Sequence, residues 1–137
     1  MDDGTELVRK LGIKANSSVI AINANPEILT KIKKVLPSET KLLTKLPPRM
    51  EADVILIWLT ATDDLLQTFQ KLQGSIKQNG AIWSVIPKRR LVEKVSISFR
   101  QVQDSALKSN LVDNKIASFS DKEYGIRLVI RKEKRVS

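Results

Sequence analysis

The chain has 137 residues, 42% apolar and 28% charged, with a net charge of +9 and neither cysteine nor histidine. That length points to one domain, residues 1–137, able to bury a core without staples. The missing cysteines exclude disulfides, thiol nucleophiles and thiolate metal sites, and the missing histidines exclude serine–histidine and cysteine–histidine hydrolysis, so neither a catalytic residue nor a metal ligand is predicted.

Leu7, Val8 and Leu11 share one side of a short helix over about residues 4–11, and Gly12 can take the left-handed position that stops it. Val19 to Ile22 is a continuous apolar run that suits a strand buried on both faces of a parallel sheet. Asn25 is placed to cap the next helix, with Pro26 at its first position and Glu27 near the positive end of its dipole. Ile28, Leu29, Ile32, Val35 and Leu36 form its apolar face, Lys31, Lys33 and Lys34 face water, and Pro37 ends it. Lys41 to Leu46 reads as a short, polar strand near an edge, broken by Pro47-Pro48.

Val54 to Leu59 is the most hydrophobic run and predicts the central strand. Thr62 is a candidate cap for the following helix, with Asp63 and Asp64 in its first turn. Leu65, Phe69, Leu72 and Ile76 make that helix's apolar stripe, and Asn79-Gly80 is read as a turn into a third buried strand, Ala81 to Ile86. Pro87 closes the strand and Lys88-Arg89-Arg90 opens a linker. Residues 93–109 fit both periods, and the longer run at helical spacing (Val95, Phe99, Val102, Ala106) favours a helix with Asn110 at its C-terminal cap. Val112 to Phe119 and Tyr124 to Arg131 are strands, joined by a connection short enough for an antiparallel hairpin. A basic tail begins at about residue 131.

Strand–helix alternation closing on an antiparallel hairpin resembles the class I methyltransferase version of the Rossmann fold, with a helix–strand–helix section missing after the second strand. The words Lys10-Leu-Gly-Ile-Lys14, Val19-Ile-Ala-Ile-Asn-Ala24, Asn110-Leu-Val-Asp113 and Gly125-Ile-Arg-Leu-Val129, with the Trp83 strand ending in Pro87-Lys88, resemble a small bacterial family of short Rossmann-like proteins of unknown function. The resemblance covers nearly the whole chain. Departures fall at Ala15-Asn16, where that family commonly has Pro-Gly, and at Asn110, where glycine is usual. The fold expected is α/β and Rossmann-like: a methyltransferase-type, mostly parallel sheet with an antiparallel C-terminal hairpin, in three α/β/α layers.

The methyltransferase resemblance implies S-adenosylmethionine, and the residues disfavour it. That pattern wants an acid and glycines in the first strand–turn–helix and an acid after the second strand; here the turn is Asn23-Ala-Asn-Pro-Glu27, and the second strand runs into Lys45-Leu-Pro-Pro-Arg49. No other cofactor is implied. In an open α/β sheet a ligand sits at the carboxyl ends of the strands, where strand order reverses. The candidate rim is therefore Asn23, Asn25, Thr60, Thr62, Pro87, Lys88 and Arg89. Asn and Thr could hydrogen-bond a small ligand and the basic pair could meet an anion; equally, Asn25 and Thr62 could serve only as helix caps. Asp63-Asp64 is an adjacent acid pair, better explained by a helix start than by carboxylate catalysis.

The expected function is a non-catalytic, degenerate methyltransferase relative that binds a partner protein or a small anionic ligand. The alternatives are a methyltransferase with a divergent cofactor site and an electrostatic nucleic-acid binder. For the last, Lys31, Lys33, Lys34, Lys88, Arg89 and Arg90 supply charge, but Trp58 and Trp83 lie in core strands rather than among them. No apolar run is long enough to cross a membrane, and Asp2, Asp3 and Glu6 at the start do not suit a signal peptide, so a cytoplasmic location is expected.

Overall fold

The strand Ser18–Ile22 (β1) lies inside the sheet with Val19, Ile20 and Ala21 fully covered, as a parallel strand with helices on both sides must be. The computed structural model describes residues 4–60, 63–88 and 97–134. Around β1 the chain forms helix α1 (Thr5–Leu11), helix α2 (Pro26–Lys34), strand β2 (Lys41–Leu43), strand β3 (Ala52–Trp58), helix α3 (Leu65–Gln73), strand β4 (Ile76–Pro87), helix α4 (Phe99–Lys108) and strands β5 (Leu111–Ser118) and β6 (Glu123–Ile130). One six-stranded sheet runs in the order β2-β1-β3-β4-β6-β5. β2, β1, β3 and β4 are parallel, and β6 and β5 are antiparallel to their neighbours. The order reverses at β1, whose sequence successor β2 lies on one side while β3 lies on the other. The α/β, Rossmann-like class and the C-terminal hairpin are as expected.

Alternate side chains of each strand divide between two cores. Val19, Ala21, Val54, Leu56, Trp58, Trp83 and Val85 pack under α1 and α2. Ile20, Ile55, Ile57, Ile82, Ile86, Ile126, Leu128 and Ile130 pack under α3 and α4. The layers are therefore α/β/α. The first core is pinned at α1, where the indole Nε1 of Trp83 donates to the Leu11 carbonyl at 3.2 Å and satisfies a group the helix end leaves open. Gly12 follows at φ 78°, the left-handed stop its type suits.

Several expected boundaries move. Asp64, not Thr62, caps α3: its carboxylate accepts from the Gln67 amide at 3.1 Å, and Asp63 accepts from the Thr60 amide at 2.7 Å. Three cap-forming types in succession made the choice ambiguous, and Thr62 itself lies outside the described residues. Ile76 belongs to β4 rather than to the α3 stripe, since the helix ends at Gln73. Asn79-Gly80 is not a turn; it lies within β4 at an irregularity where the register with β3 jumps from Ala52↔Ile76 to Val54↔Ala81. α4 begins at Phe99, with Ser98 and Gln101 closing a reciprocal capping box, so the helix expected from residue 93 starts later; residues 89–96, including Arg89, Arg90 and Val95, lie outside the described residues. Its C-cap is Ser109, and Asn110 follows at φ 64°. β2 is only three residues long and does lie at the sheet edge. Among the described residues no helix is long and apolar enough to cross a membrane.

Candidate functional site

The connection from β2 to β3 creates the most distinctive surface of the molecule. The two strands flank β1 and run parallel, so the chain must travel from the carboxyl end of β2 back to the amino end of β3 past β1. Parallel neighbours are usually joined through about a dozen or more residues that include a helix. Here residues 44–51 do it without one. An extended segment of that length reaches roughly 27 Å, enough to run the length of β1. Pro47-Pro48 bars it from helix and sheet, a turn at Pro48-Arg49 bends it with Arg49 at φ 59°, and Leu46 and Met50 pack against the core beneath α3 and α4. It is a strap where the methyltransferase pattern has a helix–strand–helix section, as the sequence implied.

A strap is narrower than a helix, and a depression of about 520 Å³ lies between it and α3. Its floor is Ile22, Ile57, Leu46 and Leu72; Ile22 and Ile57 are direct partners across β1 and β3. One lip carries Asn23, Thr44 and Lys45 and the other Thr68 and Lys71, two positions on one face of α3. The lining contains two lysines and no carboxylate. Neither ammonium belongs to an ion pair among the described residues. Asn23, directly after β1, is held at φ 55°, the left-handed conformation asparagine tolerates best after glycine.

Asn25, Pro87 and Lys88 of the expected rim are engaged elsewhere. Asn25 caps α2, accepting from the Glu27 amide at 3.0 Å, while its own Nδ2 donates to Glu123 Oε1 at 3.2 Å. The same oxygen accepts from Trp58 Nε1 at 3.2 Å. Glu123 is thus a bracket between the first strand–helix turn, the end of β3 and the hairpin. Pro87 pairs with Glu123 in the β4–β6 ladder, and Lys88 Nζ donates to Ser118 Oγ at 3.0 Å. Beside them a wider depression of about 720 Å³ is lined by Lys10, Lys31 and Lys122 but also by Glu27 and Asp121. Lys10 already pairs with Glu6 at 3.5 Å.

The structure therefore places Asn23 alone of the expected rim in the strap depression, and Asn25 in the wider one. Pro87 and Lys88 are engaged by the hairpin, Thr60 has its amide held by Asp63, and Thr62 and Arg89 lie outside the described residues. Asp63 and Asp64 are occupied by backbone amides. Reading the sequence missed Thr44, Lys45, Thr68, Lys71 and Glu123 as site residues. The first of these was within reach, since parallel pairing of β1 and β2 puts their carboxyl ends together. Glu123 was not, because its position depends on how the hairpin folds back over Trp58.

Solved structures of similar fold include methyltransferases. A SAM-dependent methyltransferase from Aquifex aeolicus superposes with a TM-score of 0.71 at 12% identity, covering 93% of this chain and 89% of that one. A chain of the complex between the Haloferax volcanii Trm112 methyltransferase activator and its methyltransferase gives 0.66 at 7% identity, over 93% and 89%. A TehB-like SAM-dependent methyltransferase from Corynebacterium glutamicum gives 0.59 at 9% identity, over 96% and 89%. At these identities the likeness concerns the fold. Among curated proteins none matches by sequence. The model of the family described as protein of unknown function DUF3052 matches residues 9–132, and the chain belongs to that family.

Proposed function

We propose that this chain is a non-catalytic Rossmann-like domain that holds a small anionic ligand in the depression between the strap and α3. The observation that carries the reading is the lining: Lys45 and Lys71 face one apolar-floored hollow at the strand-order switch, with no carboxylate beside them. The same lining does not fit S-adenosylmethionine. A carboxylate after the second strand is what would take the ribose hydroxyls, and Lys45 stands there instead. The turn where glycines would let the cofactor approach carries Asn23, Ala24 and Asn25 instead, with Asn25 tied to Glu123. A non-catalytic role is supported by the lack of histidine and cysteine and by the use of Asp63 and Asp64 on backbone amides. Titration calorimetry on the purified protein tests the reading: S-adenosylmethionine and S-adenosylhomocysteine are expected to give no heat of binding, and micromolar affinity for either would overturn it.

A second reading, a protein partner, is favoured by one observation: a structure of similar fold is that of a methyltransferase complex with an activator protein. Sedimentation of the chain in cell extract, with the pure protein as reference, would show a faster species if such a partner exists.

A further inference from the structure

Resting on the ligand-binding reading above, we infer that the ligand of the strap depression is an amphipathic acid: an apolar, flat or branched body carrying one anionic group. The floor is aliphatic throughout. Ile22, Ile57, Leu46 and Leu72 all belong to or pack on the core beneath α3 and α4, so the floor is fixed by that core. A sugar or polyol laid on it would lose hydrogen bonds to water and regain none, whereas an apolar ring or chain would release water from both surfaces. The polar groups are all on the lips. Lys45 rises from the strap and Lys71 from α3, so an anionic head is met from two sides. No internal carboxylate has to be displaced before the anion enters, because neither lysine is paired among the described residues. Thr44 and Thr68 hydroxyls and the Asn23 amide can complete the head's hydrogen bonds. The volume, about 520 Å³, lies within the span of small-molecule sites and is small for a docked helix.

The nucleoside class fails on the same grounds. Its ribose would lie on the aliphatic floor, and the lips carry no carboxylate to take both hydroxyls of its diol. A single-headed acid needs none.

The test is a titration of the full chain followed by amide NMR, using four probes: 1-naphthoate, its neutral analogue 1-naphthylmethanol, adenosine monophosphate and inorganic phosphate. Naphthoate is expected to shift the Asn23, Thr44, Lys45, Thr68 and Lys71 amides. The neutral analogue and the Lys45→Ala/Lys71→Ala variant should each bind at least about tenfold more weakly. Both lysines are solvent-exposed, so the variant should keep the parent spectrum elsewhere. If adenosine monophosphate or phosphate binds more tightly than naphthoate and also depends on the two lysines, the site stands and the amphipathic class is overturned. Naphthoate binding that ignores the lysines would overturn the class as well. If none of the four probes moves these amides, both the class and the ligand-binding reading fall.

Discussion

Phe119 lies directly on Gly125: a β carbon at position 125 would overlap the phenyl ring. The two residues face each other across the β5–β6 hairpin, where Ala117 pairs with Gly125 and the Phe119 amide bonds to the Glu123 carbonyl at 3.0 Å. The ring so placed meets Trp58 edge-on at 5.7 Å and Trp83 at 6.0 Å. Glycine at 125 thus lets the hairpin turn Phe119 into the core beneath α1 and α2.

Gly125→Ala should lower unfolding free energy by about 1–3 kcal/mol, the usual cost of forcing extra volume into a packed site. Chemical denaturation followed by tryptophan fluorescence measures it. In the Phe119→Leu background the same substitution should cost clearly less, because the overlap is with the ring. Equal costs in both backgrounds would show that the contact is not what requires glycine.

Glu123 Oε1 accepts from two side chains, the Asn25 amide and the Trp58 indole. Glu123→Leu leaves the Asn25 amide and the Trp58 indole N–H without this partner and should cost about 1–3 kcal/mol. Glu123→Gln keeps an acceptor oxygen and should retain most of that stability. Trp58 is largely buried, so its emission should shift to the red in the leucine variant and not in the glutamine one.

Asn16 and Asn110 both stand where the family resemblance expects glycine, and both are left-handed, each at φ 64°. Asparagine is the side chain best suited to that conformation after glycine. Asn110→Gly should therefore be nearly neutral and Asn110→Ala destabilising by about 1 kcal/mol. Thermal unfolding of the two variants decides, and an alanine variant as stable as the parent would refute the conformational explanation.

Tyr124 is the only tyrosine, and partial burial raises its pKa above the ordinary value. The folded state therefore holds the phenolic proton more tightly than the unfolded chain. The associated stability is full below the unfolded value near pH ~10 and is lost as pH rises through the higher folded value. Phenolate absorbance should titrate at higher pH in the folded protein than in denaturant, and Tyr124→Phe should flatten that part of the stability profile.

The fold was legible where local chemistry and tertiary packing agree. The Val19–Ala21 run, the Asn25-Pro26 start and the alternation of Ile126, Leu128 and Ile130 each mean one thing, and each is found. Legibility failed where a pattern outlived its element. Ile76 continues the spacing of α3 although Gly74 has already ended the helix, and Asn79-Gly80 carries a turn signal that pairing with β3 overrides. The candidate site was half legible. The reversal of strand order located Asn23, but Lys71 and Thr68 enter only because a strap rather than a helix lies beside α3.

The strap has one more consequence, for aggregation. Edge strands expose unpaired amides and carbonyls that invite strand addition from other molecules. By leaving the sheet after Leu43 and entering Pro47-Pro48, which lack amide hydrogens, the chain makes β2 an edge three residues long, too short to template a neighbour. The opposite edge, β5, is interrupted by a bulge between Asp113 and Lys115. A strongly apolar six-stranded sheet thus presents no long, flat edge on either side.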